Sequence, residues 1–111
     1  MLDFEEIREW VLGFPGVTES FPFGENSLVF KVKDKMFLLL ALDETPGRFN
    51  LKSDPELSVA LREEYPETVL PGYHMNKKHW NTIVLDGRLP DRQIKQLIES
   101  SYNLVGKPGK K

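Results

Sequence analysis

A chain of 111 residues, 40% hydrophobic and 29% charged, has the composition of one ordinary globular domain, long enough to bury a core without cross-links. It has no cysteine, which excludes disulfides, thiolate-held zinc, iron–sulfur clusters and thiol nucleophiles. A net charge of −2 at pH 7 argues against a uniformly basic nucleic-acid binder but leaves room for a local basic patch.

The first residues, Met-Leu-Asp-Phe-Glu-Glu, are acidic and lack the basic start and apolar core of a signal peptide. The longest apolar run, Met36 to Leu42, falls far short of the ~20 residues that cross a bilayer. A cytoplasmic location away from membranes is therefore expected.

Asp3 to Gly13 reads as a helix. Asp3 is a good N-cap, and Glu6 completes a capping-box pair. Phe4, Ile7, Val11 and Phe14 recur at helical spacing, and Trp10 widens that face. Gly13 and Pro15 stop the helix. Breakers at Pro15-Gly16 and Pro22-Phe23-Gly24 enclose a short extended piece, Thr18 to Phe21. Phe21 and Phe23 are expected to pack under the first helix.

Leu28 to Leu42 reads as a hairpin. Leu28, Phe30 and Val32 alternate with Val29, Lys31 and Lys33, and Asp34-Lys35 is the expected turn. Met36 to Leu42 is apolar at every position, the pattern of a central strand covered on both faces. Arg48 to Lys52 alternates cleanly: Phe49 and Leu51 point one way, and Arg48, Asn50 and Lys52 the other. A second helix follows, capped by Ser53 or Asp54 with Pro55 in its first turn and Leu57, Ala60 and Leu61 as its apolar stripe. Pro66 ends it. Trp80 to Leu85 is a strand with Trp80, Thr82 and Val84 on one side and Asn81, Ile83 and Leu85 on the other. Pro90 opens a last helix with Ile94, Leu97, Ile98, Tyr102 and Val105 as its apolar face, and Gly106 closes it. Strand runs bracketed by helices predict an α+β domain, an antiparallel sheet with helices packed on one face. Residues 1–106 are expected to form this single domain, with 107–111 as a basic, flexible tail.

Between the second helix and its strand lies Pro71-Gly72-Tyr73-His74-Met75-Asn76-Lys77-Lys78-His79-Trp80-Asn81. This stretch holds both histidines, and no Asp or Glu lies between Thr68 and Leu85. It has two readings. In one it is structural, with Trp80 anchoring the core and Asn76 and Asn81 satisfying an irregular backbone. In the other it is a contact surface.

The chain resembles the MmcQ/YjbR family over nearly its whole length. The matching pieces are Leu12-Gly13-Phe14-Pro15-Gly16-Val17, Phe21-Pro22-Phe23-Gly24, Leu28-Val29-Phe30-Lys31-Val32, Lys35-Met36-Phe37, Asn50-Leu51-Lys52 and the string from Pro71 to Asn81. The resemblance implies a frataxin-like, CyaY-like α+β fold, also described as a double wing. It also implies a DNA-binding or regulatory role, because the double-wing shape occurs in a phage transcription-factor domain. It brings no catalytic residue set.

The chemistry available fits that implication in part. Lys77 and Lys78 can meet phosphates as point charges, and Arg48 can meet one bidentately. Asn50, Asn76 and Asn81 can donate to phosphate or base edges, and Tyr73, His74 and His79 can stack on an unpaired base. The candidate nucleic-acid-binding residues are thus Arg48, Asn50, Lys52, His74, Asn76, Lys77, Lys78 and His79. They share a face only if the Arg48–Lys52 strand lies beside the Trp80–Leu85 strand. The rival reading is a small-molecule or protein-interaction module on the same His-, Asn- and Lys-lined face. His74 and His79 are five apart, which matches no helical ligand pair, and an iron site at Asp3, Glu5, Glu6 and Glu9 would rest on fold analogy alone. Neither a nucleophile elbow nor a phosphate-cradling glycine loop is present. A non-enzymatic monomer without metal or cofactor is expected.

Overall fold

The computed structural model describes residues 2–72 and 79–106. In chain order the elements are α1 (Phe4–Leu12), β1 (Val17–Ser20), β2 (Ser27–Val32), β3 (Lys35–Ala41), β4 (Arg48–Lys52), α2 (Pro55–Glu64), β5 (Val69–Pro71), β6 (Trp80–Val84) and α3 (Asp91–Gly106). The strands form one antiparallel sheet in the order β1-β2-β3-β4-β6-β5. This is the α+β architecture expected from the element order. Among the described residues no helix is long and apolar enough to cross a membrane.

One face of the sheet carries the core. Leu28 and Phe30 of β2, Leu38 and Leu40 of β3, Phe49 and Leu51 of β4 and Ile83 of β6 are all buried there. They meet Ile7 and Val11 of α1, Leu61 of α2, and Ile94, Leu97 and Ile98 of α3. The capping box forms as the sequence requires: Glu6 N–H donates to the Asp3 carboxylate at 2.9 Å, and Asp3 N–H to Glu6 at 3.2 Å. That pairing uses both acids on the helix cap. α1 meets α3 through Lys95 over the Trp10 ring at 5.3 Å, and Phe14, just past the end of α1, packs against Tyr102 at 4.8 Å.

Several local features differ from the sequence reading. The β2–β3 turn sits at Lys33-Asp34, one residue early, with both residues at positive φ, 54° and 66°. A mirror-image turn of this kind matches strand twist, and Asp tolerates its backbone better than most residues. The register skips Phe37: Phe30 faces Leu38, and Lys31 faces Met36. The bulge turns Phe37 into the core, where its ring meets Tyr102 at 5.4 Å. On α2 it is Ser58, not Ala60, that is buried against the sheet beside Leu61. Val69 to Pro71 forms a further strand, β5, pairing with β6, which the sequence pattern did not predict. Phe21 and Phe23 do not pack under α1; they are 51% and 69% exposed.

Candidate sheet-face binding groove

Strand alternation decides what faces away from the helices. Because Phe49 and Leu51 are in the core, Arg48, Asn50 and Lys52 project from the other side of β4. β4 pairs with β6, so the condition for a shared face is met: Arg48 lies opposite Val84, Asn50 opposite Thr82, and Lys52 opposite Trp80. Trp80 is therefore on the helix-free face. It is half-buried and outside the core cluster, not the core anchor expected from its type.

The helix-free face is not an ordinary solvated surface. Val29, Leu39 and Val84 lie on it and are nonetheless buried. Beside them is a groove of about 750 Å³, within the size range of small-molecule sites. Its apolar wall comes from Phe23, Met36, Leu39, Ala41, Leu70 and Pro71. Its polar side comes from Arg48, Asn50 and Thr82, with Ser27 at one end and Asp43 and Glu44 of the β3–β4 loop at the rim.

Two details fix the chemistry of the polar side. Thr82 Oγ1 donates its proton to Asn50 Oδ1, which leaves Nδ2 as the donor end of that side chain, without a partner among the described residues. Arg48 Nε is buried and has no hydrogen-bond partner among the described residues. A buried unpaired donor costs about 1–3 kcal/mol, so its presence calls for an explanation. Arg48 and Asn50 are two apart on one strand and therefore neighbours on one face. Together they offer donors and few acceptors.

The remaining candidates divide. Lys52 shares the face but does not line the groove; its backbone N–H donates to Ser101 Oγ at 2.9 Å. His79 sits in the turn before β6, half-buried, and its carbonyl accepts from Ser53 N–H at 2.7 Å. It is not among the described residues that line the groove. His74, Asn76, Lys77 and Lys78, and the tail 107–111, lie outside the described residues. Asn81 is not available for contact, since it is fully buried on the helix side and bonded to Arg62 and Ser58 of α2.

Sequence reasoning missed Phe23, Met36, Leu39, Asp43, Glu44, Leu70 and Thr82 as site residues. A signal was available for two of them. Leu39 belongs to a strand apolar on both faces, and Thr82 alternates with Trp80 onto the side away from Ile83. For Phe23, Asp43 and Glu44 no local pattern exists, because loops bring them to the groove.

The chain is similar to known proteins across this whole architecture. A family model described as YjbR matches residues 12–104. The protein YjbR of Escherichia coli K12 is 35% identical over 101 residues, covering 91% of this chain and 85% of its own. YbdF of Escherichia coli O157:H7 is 38% identical over 101 residues, covering 91% and 82%. Both are named as uncharacterised proteins. Among solved structures, the Deinococcus radiodurans protein DR2400, with a domain described as DUF419, is 40% identical and superposes with a TM-score of 0.93 over 100% of this chain and 83% of its own. A Pseudomonas syringae protein is 27% identical, with a TM-score of 0.75 over 94% and 99%.

Proposed function

The chain belongs to the YjbR family, and from that premise we propose that it is a non-enzymatic binding protein whose working surface is the groove on the helix-free face of its sheet. The observation that carries this reading is the groove itself. A face that antiparallel α+β domains usually give to solvent here holds buried apolar side chains around a cleft with convergent polar groups. A small molecule fits these dimensions.

DNA binding is the second reading. It is supported by Arg48, Asn50 and Lys52 standing in a row on one strand face, where an extended backbone could run. Two features weigh against it. Asp43 and Glu44 edge the same groove, and the whole chain is net negative, so a polyanion meets repulsion along with its cations.

Amide chemical-shift mapping separates the two. A fragment set of small aromatic acids, amides and amines is titrated in one arm, and duplex and single-stranded oligonucleotides at low salt in the other. The groove reading expects fragments to shift Leu39, Asn50, Leu70 and Thr82, and Phe23→Ser to weaken them. Fragment shifts scattered outside the groove would overturn it. The DNA reading expects salt-sensitive oligonucleotide shifts on β4 that a Lys77→Ala/Lys78→Ala double variant reduces.

A further inference from the structure

We infer that the groove is built for a small molecule carrying a single carboxylate on an apolar body, with Arg48 and Asn50 as the carboxylate receptor. The inference rests on the groove being the working surface, and it adds the chemical class of the ligand.

The polar side of the groove is biased toward donors. Thr82 has given its proton to Asn50 Oδ1, so the end of the Asn50 amide still able to bond is the Nδ2 donor. Among the described residues, Arg48 holds a buried Nε–H with no partner, and none of its guanidinium nitrogens is in an ion pair. A planar guanidinium fork beside an amide NH₂ matches a group that only accepts and has two oxygens in one plane. A carboxylate is such a group. A neutral amide or alcohol would bring donors of its own to a surface already supplied with them.

The rest of the cleft sets the remainder of the ligand. Met36, Leu39 and Leu70 supply an apolar wall, and the exposed Phe23 ring stands at the edge. An apolar body lies against these side chains while its acid reaches Arg48. Asp43 and Glu44 limit the charge that enters. One negative charge is offset by Arg48; a phosphate dianion or a phosphodiester chain adds charge that the two acids repel.

The test uses 3-phenylpropionate, 3-phenylpropanamide and phenyl phosphate as probes, followed by amide shifts on the full chain. The acid is expected to bind in the groove at least about tenfold more tightly than the amide, the scale of a charge-assisted hydrogen bond. Phenyl phosphate is expected to be weaker than the acid. Arg48→Gln is expected to bring acid and amide to equal affinity, and Asn50→Asp to abolish acid binding while the amide still binds. Circular dichroism and thermal melting confirm that each variant is folded. Acid and amide binding equally to the wild-type groove would overturn the carboxylate inference and leave the groove reading standing. An oligonucleotide or phenyl phosphate displacing the acid from Arg48 more tightly than the acid itself binds would overturn it in favour of a phosphate ligand. Probe shifts confined to surfaces outside the groove would overturn both.

Discussion

The Ser101 hydroxyl donates at 2.6 Å to the carbonyl of Phe37, the residue skipped in the β2–β3 register, and so stands where the β3–β4 ladder ends. The same oxygen accepts from Lys52 N–H at 2.9 Å. Leu38 faces Leu51 in the β3–β4 ladder, so the next pair outward would be Phe37 with Lys52. Their backbone groups meet through a side chain of α3 instead. The helix is thereby fixed to the sheet at the strand that carries Arg48 and Asn50.

Ser101→Ala should therefore cost more than a surface serine does. It leaves a carbonyl and an N–H without their partner, each worth about 1–3 kcal/mol when buried. Partial exposure of the Lys52 side places the expected total near the lower end of that sum, about 2–3 kcal/mol in urea unfolding. An unchanged urea midpoint would show that the end of the β3–β4 ladder holds without the helix.

A second polar link fastens α2 to β6. Asn81 is fully buried. It accepts from Arg62 Nε at 2.8 Å and donates to Ser58 Oγ at 3.2 Å, while Arg62 Nη2 reaches the Trp80 carbonyl at 3.2 Å. Groups in one such network are not independent. A double-mutant cycle of Asn81→Ala with Arg62→Ala should return a coupling of about 0.5–3 kcal/mol, measured by chemical denaturation. Additive losses would mean that the two side chains act separately.

These links explain which parts of the molecule were legible in the sequence. Period-two alternation placed Phe49 and Leu51 inside and Arg48 and Asn50 outside, and the apolar run through Phe37–Leu40 marked a strand covered on both faces. Capping at Asp3 followed from local chemistry. The bulge at Phe37 was not legible, because it depends on how Tyr102 and Ser101 of a distant helix pack. For the same reason Asn81 looked like a surface donor: only the approach of α2 makes it a buried acceptor. Trp80 misled in the opposite direction, since its size suggested the core while its register places it on the groove side. The groove itself needs loops at Phe23 and at Asp43-Glu44, and no single segment encodes that meeting.

The Arg8–Glu19 pair gives a pH-dependent prediction. Arg8 Nε and Nη2 each donate to the Glu19 carboxylate at 2.7 Å, joining α1 to β1. The hydrogen bond from Arg8 is the main reason the Glu19 carboxyl lies below its ordinary value of 4.5; partial burial opposes the shift, and the Arg8 charge adds to it. A folded-state value below the unfolded one means the contribution is present above the ordinary carboxylate range. It is lost as pH falls through the folded value. Both side chains are partly exposed, at 44% and 30%, so screening keeps the effect small. Glu19→Gln should be slightly less stable than wild type at neutral pH, and the two melting curves should converge in acid. A gap that persists or widens in acid would assign the loss to packing and not to charge.

Gly72 sets the spacing at the start of the segment that the sequence marks most strongly. Its N–H donates to the Trp80 carbonyl at 2.9 Å, extending the β5–β6 pairing past Pro71. A Cβ at this position would lie 2.8 Å from Trp80 Cβ, 3.0 Å from its carbonyl oxygen and 3.1 Å from its carbonyl carbon. Two of these three atoms are backbone, so no rotamer change relieves the contact, and β5 must move away from β6. Overpacking of this kind costs about 1–3 kcal/mol. Gly72→Ala should lose about that much stability. It should also weaken groove ligands, because Leu70 and Pro71 of the displaced strand form part of the groove wall. Amide hydrogen exchange at Leu70 and Thr82 checks the mechanism: exchange should quicken there more than at Leu38 or Phe49. Uniform quickening across the sheet would point to global destabilisation instead of a shifted edge strand.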